Sequence, residues 1–195
     1  MSMFYELMMR KKEQIMYATI KGTLTENDGV FSGFSSSNYL KIQNTINVNS
    51  STNFEMVVKV NFNNFTEYST FVGSFNSYDI TLRTGTDAKV FFNVGNGNSW
   101  IIINQSSKNT FLPNTDYFFK IVLKNNKAQV FSSTNGTIWT QEIDRELTIS
   151  DQYNFNITLG IGRISATYFD GTIDLNNSYI KLGTTKYKIV AVPEE

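Results

Sequence analysis

The chain contains no cysteine and no histidine among its 195 residues. Without cysteine it can form neither a disulfide nor a thiolate metal site, and it has no cysteine nucleophile. Without histidine it lacks the usual general base and the usual zinc ligand, so a Ser-His-Asp triad cannot form. Together, the two absences exclude the nucleophiles, bases and metal ligands that depend on a thiolate or an imidazole.

Charged residues are also scarce, at 17% of the chain, against about 25% in a typical globular domain. The 17 basic and 17 acidic side chains cancel, whereas nucleic-acid-binding proteins carry a basic surplus. The sequence therefore does not favour nucleic acid as a partner. No run approaches the roughly 20 apolar residues of a membrane-spanning helix, and the N-terminus lacks the apolar core of a signal peptide. We expect a soluble protein without a membrane span.

Uncharged polar and aromatic residues take the place of the missing charge. The sequence has 23 Asn, 21 Thr, 18 Ser, 16 Phe and 10 Tyr, but only 2 Pro. Asn and Ser favour turns, while Thr, Tyr and Phe favour strands. This composition is typical of an all-β protein with many polar loops.

Period-two alternation of apolar residues predicts the strands. In Phe54–Phe62 every even position is apolar, which is the pattern of a half-buried strand. Residues 117–123, 155–161 and 169–175 alternate in the same way. Turn pairs such as Asn125-Asn126 and Asn135-Gly136 separate the runs. About twelve short strands at this spacing predict an antiparallel β-sandwich or barrel. Residues 1–20 fit either a hairpin, which we favour, or a short helix.

The order of these signals resembles the laminin-G-like, concanavalin A-like jelly roll. The resemblance covers about residues 20–190, and its last stretch is similar to the closing signature of laminin-G-like domains in tailed-phage virion proteins. The matching stretches are residues 29–34, 38–42, 54–62, 117–122, 127–139, 159–162 and 168–182. The resemblance implies a jelly-roll β-sandwich over residues 21–195, preceded by an N-terminal extension over residues 1–20 that could serve as an attachment arm.

The resemblance also implies a binding or structural module rather than an enzyme. We expect a non-enzymatic virion protein, on a phage tail, baseplate or capsid surface, that binds a host-surface carbohydrate weakly and in many copies. Its expected partners are carbohydrate, other virion proteins and further copies of itself. A structural decoration protein without a ligand is the alternative. Calcium-binding members of this superfamily use clustered oxygen ligands. The aspartates here are mostly scattered singly, so calcium stays open and no cofactor or metal is assigned.

Aromatic side chains cover the C–H faces of sugars, while amides and guanidinium groups bind their hydroxyls. Trp100 follows a polar turn, Tyr78 and Arg83 lie on a predicted neighbouring strand, and Trp139 follows the Asn135-Gly136 turn. These four residues are the candidate ligand-binding side chains.

The stretch Glu142-Ile143-Asp144-Arg145-Glu146 resembles the catalytic strand of a family of retaining glycoside hydrolases. Alternation would place its three carboxylates on one face, where two carboxyls about 5–5.5 Å apart could cleave a glycosidic bond. Arg145 argues against this role, because a catalytic strand needs apolar residues on its reverse face. We therefore predict that the trio is solvent-exposed and not catalytic, and keep a glycoside hydrolase as the second alternative.

Overall fold

A computed structural model describes residues 13–49, 52–74, 77–147, 153–163 and 168–194. These residues form strands, turns and loops, and no helix occurs among them. The strands are β1 (Gln14–Lys21), β2 (Thr25–Asn27), β3 (Val30–Ser32), β4 (Tyr39–Ile42), β5 (Ile46–Val48), β6 (Phe54–Phe62), β7 (Thr70–Ser74), β8 (Tyr78–Thr84), β9 (Val90–Gly97), β10 (Trp100–Ser106), β11 (Asp116–Lys124), β12 (Lys127–Ser133), β13 (Thr140–Glu146), β14 (Tyr153–Phe155), β15 (Ile157–Leu159), β16 (Gly171–Leu182) and β17 (Thr185–Val192).

Fifteen of these strands belong to one continuous hydrogen-bonded sheet. Its main path runs β10-β9-β8-β7-β15-β4-β1-β17-β16-β6-β11-β12-β13, with β2 and β3 attached beside β16, and β5 pairs separately with β14. Of the pairings that the described strands make, only β1 with β17 is parallel. Because a long twisted sheet curls and packs on itself, this path produces two layers around one core.

Aromatic side chains join the two layers. Phe71 of β7 meets Phe62 of β6 at a ring-centroid distance of 5.6 Å and Phe119 of β11 at 5.2 Å. Phe169, just before β16, contacts both Phe62 and Phe71 at 5.7 Å. Each aromatic residue contributes a large apolar area to burial, so this cluster holds the faces of the sandwich together. The all-β sandwich predicted from the sequence is confirmed.

The clearest predicted strand is β6. Its five alternating apolar side chains, from Phe54 to Phe62, are all 0–1% exposed, as the period-two pattern predicts. Val57 occupies the opposite face and is buried as well. Its cross-strand partners are Lys120 on β11 and Tyr179 on β16.

The N-terminal boundary differs from the predicted one. Residues 14–20, placed in the extension, form most of β1, which lies between β4 and β17 inside the sheet. Met16 and Ala18 on this strand are buried in the core. These residues therefore belong to the sandwich, and the first half of the predicted hairpin, over residues 1–12, lies outside the described residues.

The closing stretch, residues 168–182, has a structural role at the centre of the sheet. It supplies β16, which pairs with β6 on one side and β17 on the other. A Cβ atom at Gly171 would lie 2.2 Å from the carbonyl oxygen of Asn61, closer than atoms can approach. The glycine is thus required for β16 to pair with β6. Among the described residues, no segment is helical and apolar over the length that crossing a membrane requires.

Candidate functional site

A cleft of about 150 Å³ opens on the outer surface of strands β7 to β10. On β8, Ile80 and Leu82 point into the core, so alternation turns Thr81 and Arg83 outward into the cleft. Neighbouring strands and loops complete the wall. The lining residues are Tyr68, Thr70, Thr81, Arg83, Asn93, Trp100, Ile103, Asn104 and Arg163.

Arg83 is the central polar group of the cleft. Arg83 is only 8% exposed. Its guanidinium lies 4.3 Å from the ring centroid of Tyr68 and 4.9 Å from the ring centroid of Phe91. Its Nη2 donates a hydrogen bond to Asn104 Oδ1 at 2.8 Å. Burial lowers the pKa of Arg83, yet a guanidinium stays protonated at neutral pH. The cleft therefore contains a desolvated, fixed positive charge.

A β-bulge sets the position of Asn104. The pairing of β10 with β9 passes from Ile102–Val94 to Gln105–Phe92, so two residues of β10 face only Asn93. Asn104 takes a left-handed conformation with φ of +51°, and its backbone N–H donates to Asn93 Oδ1 at 2.6 Å. Bulges re-aim side chains near functional sites, and this one points the Asn104 amide at Arg83.

Tyr68 is the second residue of the cleft with an unusual backbone. Its φ is +63°, which is rare for a bulky side chain and marks a conformation held by its surroundings. The Tyr68 N–H donates to the Thr84 carbonyl at 3.1 Å, and the Tyr68 carbonyl accepts from Thr70 Oγ1 at 2.9 Å. These bonds hold the tyrosine ring over Arg83.

Trp100 forms the aromatic side of the cleft. Its ring meets Tyr78 edge-on, with centroids 5.2 Å apart, and the guanidinium of Arg163 lies 4.2 Å from the centroid of Tyr78. Trp100 pairs with Gly95 of β9, where a Cβ would lie 2.1 Å from the Tyr78 carbonyl oxygen. The glycine thus permits the close strand approach that brings Trp100 and Tyr78 together.

Thr81 presents a hydroxyl without a hydrogen-bond partner. The residue is 5% exposed, and its Oγ1 is buried with no donor or acceptor within reach. Leaving such a group unsatisfied costs about 1–3 kcal/mol, and native structures rarely keep one without a reason. A polar ligand in the cleft could satisfy it.

Three of the four candidate residues predicted from the sequence meet at this cleft. Arg83 and Trp100 line it, and Tyr78 supports Trp100 from behind. Trp139 lies apart, on the outer side of the opposite layer, where the ammonium of Lys120 is 4.0 Å from a Trp139 ring centroid.

Sequence reasoning missed Tyr68, Asn104 and Arg163. Asn104 depends on a bulge that leaves no mark in the alternation pattern, and Tyr68 takes a positive φ at a turn position where Gly or Asn is usual. Arg163 follows Gly160-Ile161-Gly162, which reads as a strand and turn. For Arg163, an arginine beside glycines after a strand is the only available signal.

The three carboxylates of Glu142, Asp144 and Glu146 do not lie together on one face of β13. The pairing of β12 with β13 passes from Val130–Ile143 to Phe131–Gln141, which leaves Glu142 as the extra residue of a bulge. Glu142 and Ile143 are consequently both buried. Asp144 and Glu146 face outward, where both carboxylates approach Lys127 Nζ.

The predicted exposure of the trio is therefore wrong for Glu142. Its carboxylate accepts hydrogen bonds from Asn109 N at 3.0 Å, Asn109 Nδ2 at 2.9 Å and Ser132 Oγ at 2.6 Å. These bonds tie the loop after β10 to β12 and β13. Arg145 donates hydrogen bonds to Gln105 Oε1 and to the Asp144 carbonyl. Glu142 is a structural residue that joins the two ends of the strand path.

Within the described ranges, no group of three or more His, Cys, Asp or Glu side chains is placed to bind a metal ion. A shallower groove of about 610 Å³ lies beside β1 and β17, near Tyr17, Gln43 and Pro193. Its charged residues, Lys21 and Glu194, pair with each other. The β7–β10 cleft, with its unpaired polar groups, is the stronger candidate site.

No family model matches the sequence, and no curated protein matches it either. Solved structures resemble the fold at low identity. Domain 4 of AbnA, an extracellular GH43 arabinanase from Geobacillus stearothermophilus solved with arabinotriose, gives a TM-score of 0.58 at 13% identity, over 87% of this chain and 82% of that one. The exoplasmic/lumenal domain of VIP36, bound to Ca²⁺ and mannose, gives 0.53 at 12%, over 86% and 82%.

The enzyme AlgAT5, an alginate lyase of polysaccharide lyase family 7, gives a TM-score of 0.52 at 14% identity, over 85% of this chain and 84% of that one. Similarity at this level shows the shared β-sandwich fold, which serves both binding domains and enzymes. The fold therefore does not determine the function, which depends on the residues of the site.

Proposed function

We propose that this protein is a non-enzymatic carbohydrate-binding domain and that the β7–β10 cleft is its sugar site. The observation that carries the proposal is the juxtaposition of Trp100 with polar groups that lack full partners, above all the buried Thr81 hydroxyl. Sugar sites combine an aromatic face with a few fixed hydrogen-bonding groups. Arg83 and Asn93 supply further donors and acceptors in the same space.

The size of the cleft supports weak binding. Its volume of about 150 Å³ is below the roughly 300 Å³ at which drug-sized ligand pockets begin. Such a site holds one sugar unit and buries little area, so each copy contributes modest affinity. Several linked copies would raise avidity without new contacts, which suits a protein displayed on a repetitive surface.

The solved structures support the same class of ligand, because two similar sandwiches were crystallised with arabinotriose and mannose. The alginate lyase shows that the fold can also be catalytic. The separation of Glu142 from Asp144 and Glu146 supports the non-enzymatic assignment, since a retaining hydrolase needs two carboxyls facing one bond.

We further propose that the protein acts on the surface of a phage particle, as a tail, baseplate or capsid component bound to other virion proteins. The support is the resemblance of residues 168–182 to phage laminin-G-like domains. Mass spectrometry of particles purified from the phage or prophage that encodes the chain should detect the protein. Its absence from intact particles would contradict the virion assignment and leave the sugar site untouched.

The attachment arm is proposed for residues 1–12, which precede β1 and include Met and Phe side chains. Deletion of residues 1–12 leaves β1 and its buried Met16 in place, so the sandwich should stay folded. We expect loss of self-association, measured by sedimentation velocity. Equal assembly states of the two proteins would contradict this role.

A glycan array tests the proposed function. The purified full chain should be displayed in multivalent form and screened with Ca²⁺ and with a chelator. We expect a restricted set of glycans to bind, and the two conditions report whether Ca²⁺ contributes. No binding to any glycan in either condition would overturn the proposal and favour a structural decoration protein.

A further inference from the structure

We propose that the sugar bound in the β7–β10 cleft is acidic, carrying a carboxylate or a sulfate that pairs with Arg83 and Arg163. This inference rests on the proposed function and specifies its ligand class. It is drawn from the charge of the cleft, from the fixed geometry of Arg83 and from the hydrogen-bonding capacity that remains free.

The charge of the cleft is one-sided. Two of its lining residues are arginines, and none is Asp or Glu. In a chain whose charges cancel overall, this is a local concentration of positive charge in a partly enclosed space. A cleft lined by one sign of charge focuses its field on a ligand of the opposite sign.

Neither arginine forms an ion pair with a residue that the structure describes. The ion pairs among the described residues include neither Arg83 nor Arg163. Glu67 attracts the Arg83 guanidinium electrostatically and acts to raise its pKa, against the larger lowering effect of burial. Glu67 and Asp87 line an adjoining depression that Arg83 also borders, but neither lines the cleft itself.

The side chain of Arg83 is fixed in a position to bind an oxyanion. Its guanidinium is fixed between the rings of Tyr68 and Phe91, and the hydrogen bond to Asn104 uses one of its five N–H donors. A guanidinium presents paired donors that match a carboxylate or sulfate. Because burial has already removed water from Arg83, an arriving anion would replace a lost hydration shell.

The other groups in the cleft fit the sugar that carries the anion. Trp100 offers an aromatic surface for the ring, and the unpaired Thr81 hydroxyl can bind a sugar hydroxyl. Arg163 rests on Tyr78 at the mouth of the cleft, where it can reach an anionic substituent on the outer side. A neutral sugar would use the aromatic and hydroxyl groups but leave both charges unpaired.

The test compares acidic glycans with their neutral parents. An array should present uronic-acid, sialylated and sulfated glycans beside the parent structures, followed by calorimetry on the best pair. We expect the full chain to bind the acidic member at least about tenfold more tightly, the value of one charge-assisted hydrogen bond. The uronate and sialate members report a carboxylate, and the sulfated members report a sulfate.

Variants identify the groups responsible. Arg163→Gln should reduce the preference for the acidic member, because it removes one of the two cationic partners of the anion. Arg163 is partly exposed, so its loss should not disturb the core. Arg83→Lys keeps the charge but loses the planar fork, and it should weaken acidic binding by about tenfold. Lys124→Gln, the same charge change on an exposed residue at the β11–β12 turn, is the matched control and should change nothing.

The outcomes separate the two proposals. Equal binding of acidic and neutral members, unaffected by Arg163→Gln, would overturn the acidic ligand while the carbohydrate-binding function stands. Acidic binding that survives both arginine variants would also overturn it, because the site would then lie elsewhere. If no glycan binds at all, the proposed function and this inference fall together.

Discussion

Arg83 Nη2 donates a hydrogen bond to Asn104 Oδ1 at 2.8 Å and thereby links β8 to the bulge of β10 across β9. The bond joins a buried guanidinium to a residue whose backbone is left-handed. The two features are connected, because the bulge orients the Asn104 side-chain amide and this amide holds the Arg83 guanidinium in place. The hydrogen bond between Arg83 and Asn104 therefore sets the position of the positive charge in the cleft.

Replacement of Asn104 by glycine should weaken both stability and ligand binding. Glycine accepts the φ of +51° at this position without strain, so the change removes the side chain while leaving the backbone possible. Loss of a hydrogen bond to a buried charge costs about 1–3 kcal/mol, measured by urea unfolding. The control Asn126→Gly, at an exposed turn residue with φ of +57°, should leave the unfolding free energy nearly unchanged. Equal effects of the two variants would contradict the role of the Asn104 amide.

Thr81 and Thr70 should respond in opposite directions to replacement by valine. The Thr81 hydroxyl has no partner, so Thr81→Val removes an unsatisfied buried group and should raise the free energy of unfolding by about 1 kcal/mol. Thr70 Oγ1 donates to the Tyr68 carbonyl, so Thr70→Val should lower it by about the same amount. Thr81→Val should also weaken glycan binding. A loss of stability in Thr81→Val would show that its hydroxyl has a partner.

Glu142→Gln should destabilise the fold without affecting sugar binding. Glu142 accepts three hydrogen bonds from Asn109 and Ser132, and an amide offers a single acceptor oxygen in place of the carboxylate. We expect a loss of about 1–3 kcal/mol in thermal or urea unfolding. Glu146→Gln, whose side chain is 79% exposed, should stay within about 0.5 kcal/mol. Intact stability in Glu142→Gln together with loss of a glycan-cleaving activity would instead revive the hydrolase alternative.

Asp79 should make stability depend on pH. It is fully buried, and burial raises the pKa of its carboxyl above the ordinary value of 3.8. The folded state therefore holds this proton more tightly than the unfolded state, and stability is lost as the pH rises above 3.8 towards the folded-state pKa.

The variant Asp79→Asn tests this dependence. It is neutral at every pH, and its Oδ1 can still accept the hydrogen bonds that Ser77 and Asn156 give to Asp79. Relative to this variant, the wild type should become less stable as the pH rises above about 4, as measured by urea unfolding at a series of pH values. If the difference in unfolding free energy between the wild type and Asp79→Asn stays constant with pH, the Asp79 carboxyl does not titrate in this range.

Much of the fold follows from local patterns in the sequence. The alternation in Phe54–Phe62 reflects a strand with one face in the core, and burial of such a face fixes its orientation. The Asn125-Asn126 pair predicts the β11–β12 hairpin, because both residues have positive φ there. Both features depend on residues that are close together in the sequence, so they can be predicted from one sequence alone.

The features that could not be predicted depend on contacts between distant strands. The extra residue at Glu142 arises from pairing between β12 and β13, and it separates carboxylates that simple alternation places together. Asn156 N donates to Asp79, which divides the predicted run over residues 155–161 into β14 and β15. The parallel pairing of β1 with β17 has no local signal. Bulges and long-range pairings, rather than residue types, decide these points.

The most direct test of the sugar site uses the two tryptophans of the chain. With the best glycan from the array, calorimetry should compare Trp100→Ala with Trp139→Ala, because both variants lose the same side chain from opposite layers of the sandwich. We predict that Trp100→Ala loses at least about tenfold in affinity, as expected for an aromatic anchor, while Trp139→Ala binds like the wild type. Undiminished binding by Trp100→Ala, with loss in Trp139→Ala, would contradict the assignment of the β7–β10 cleft.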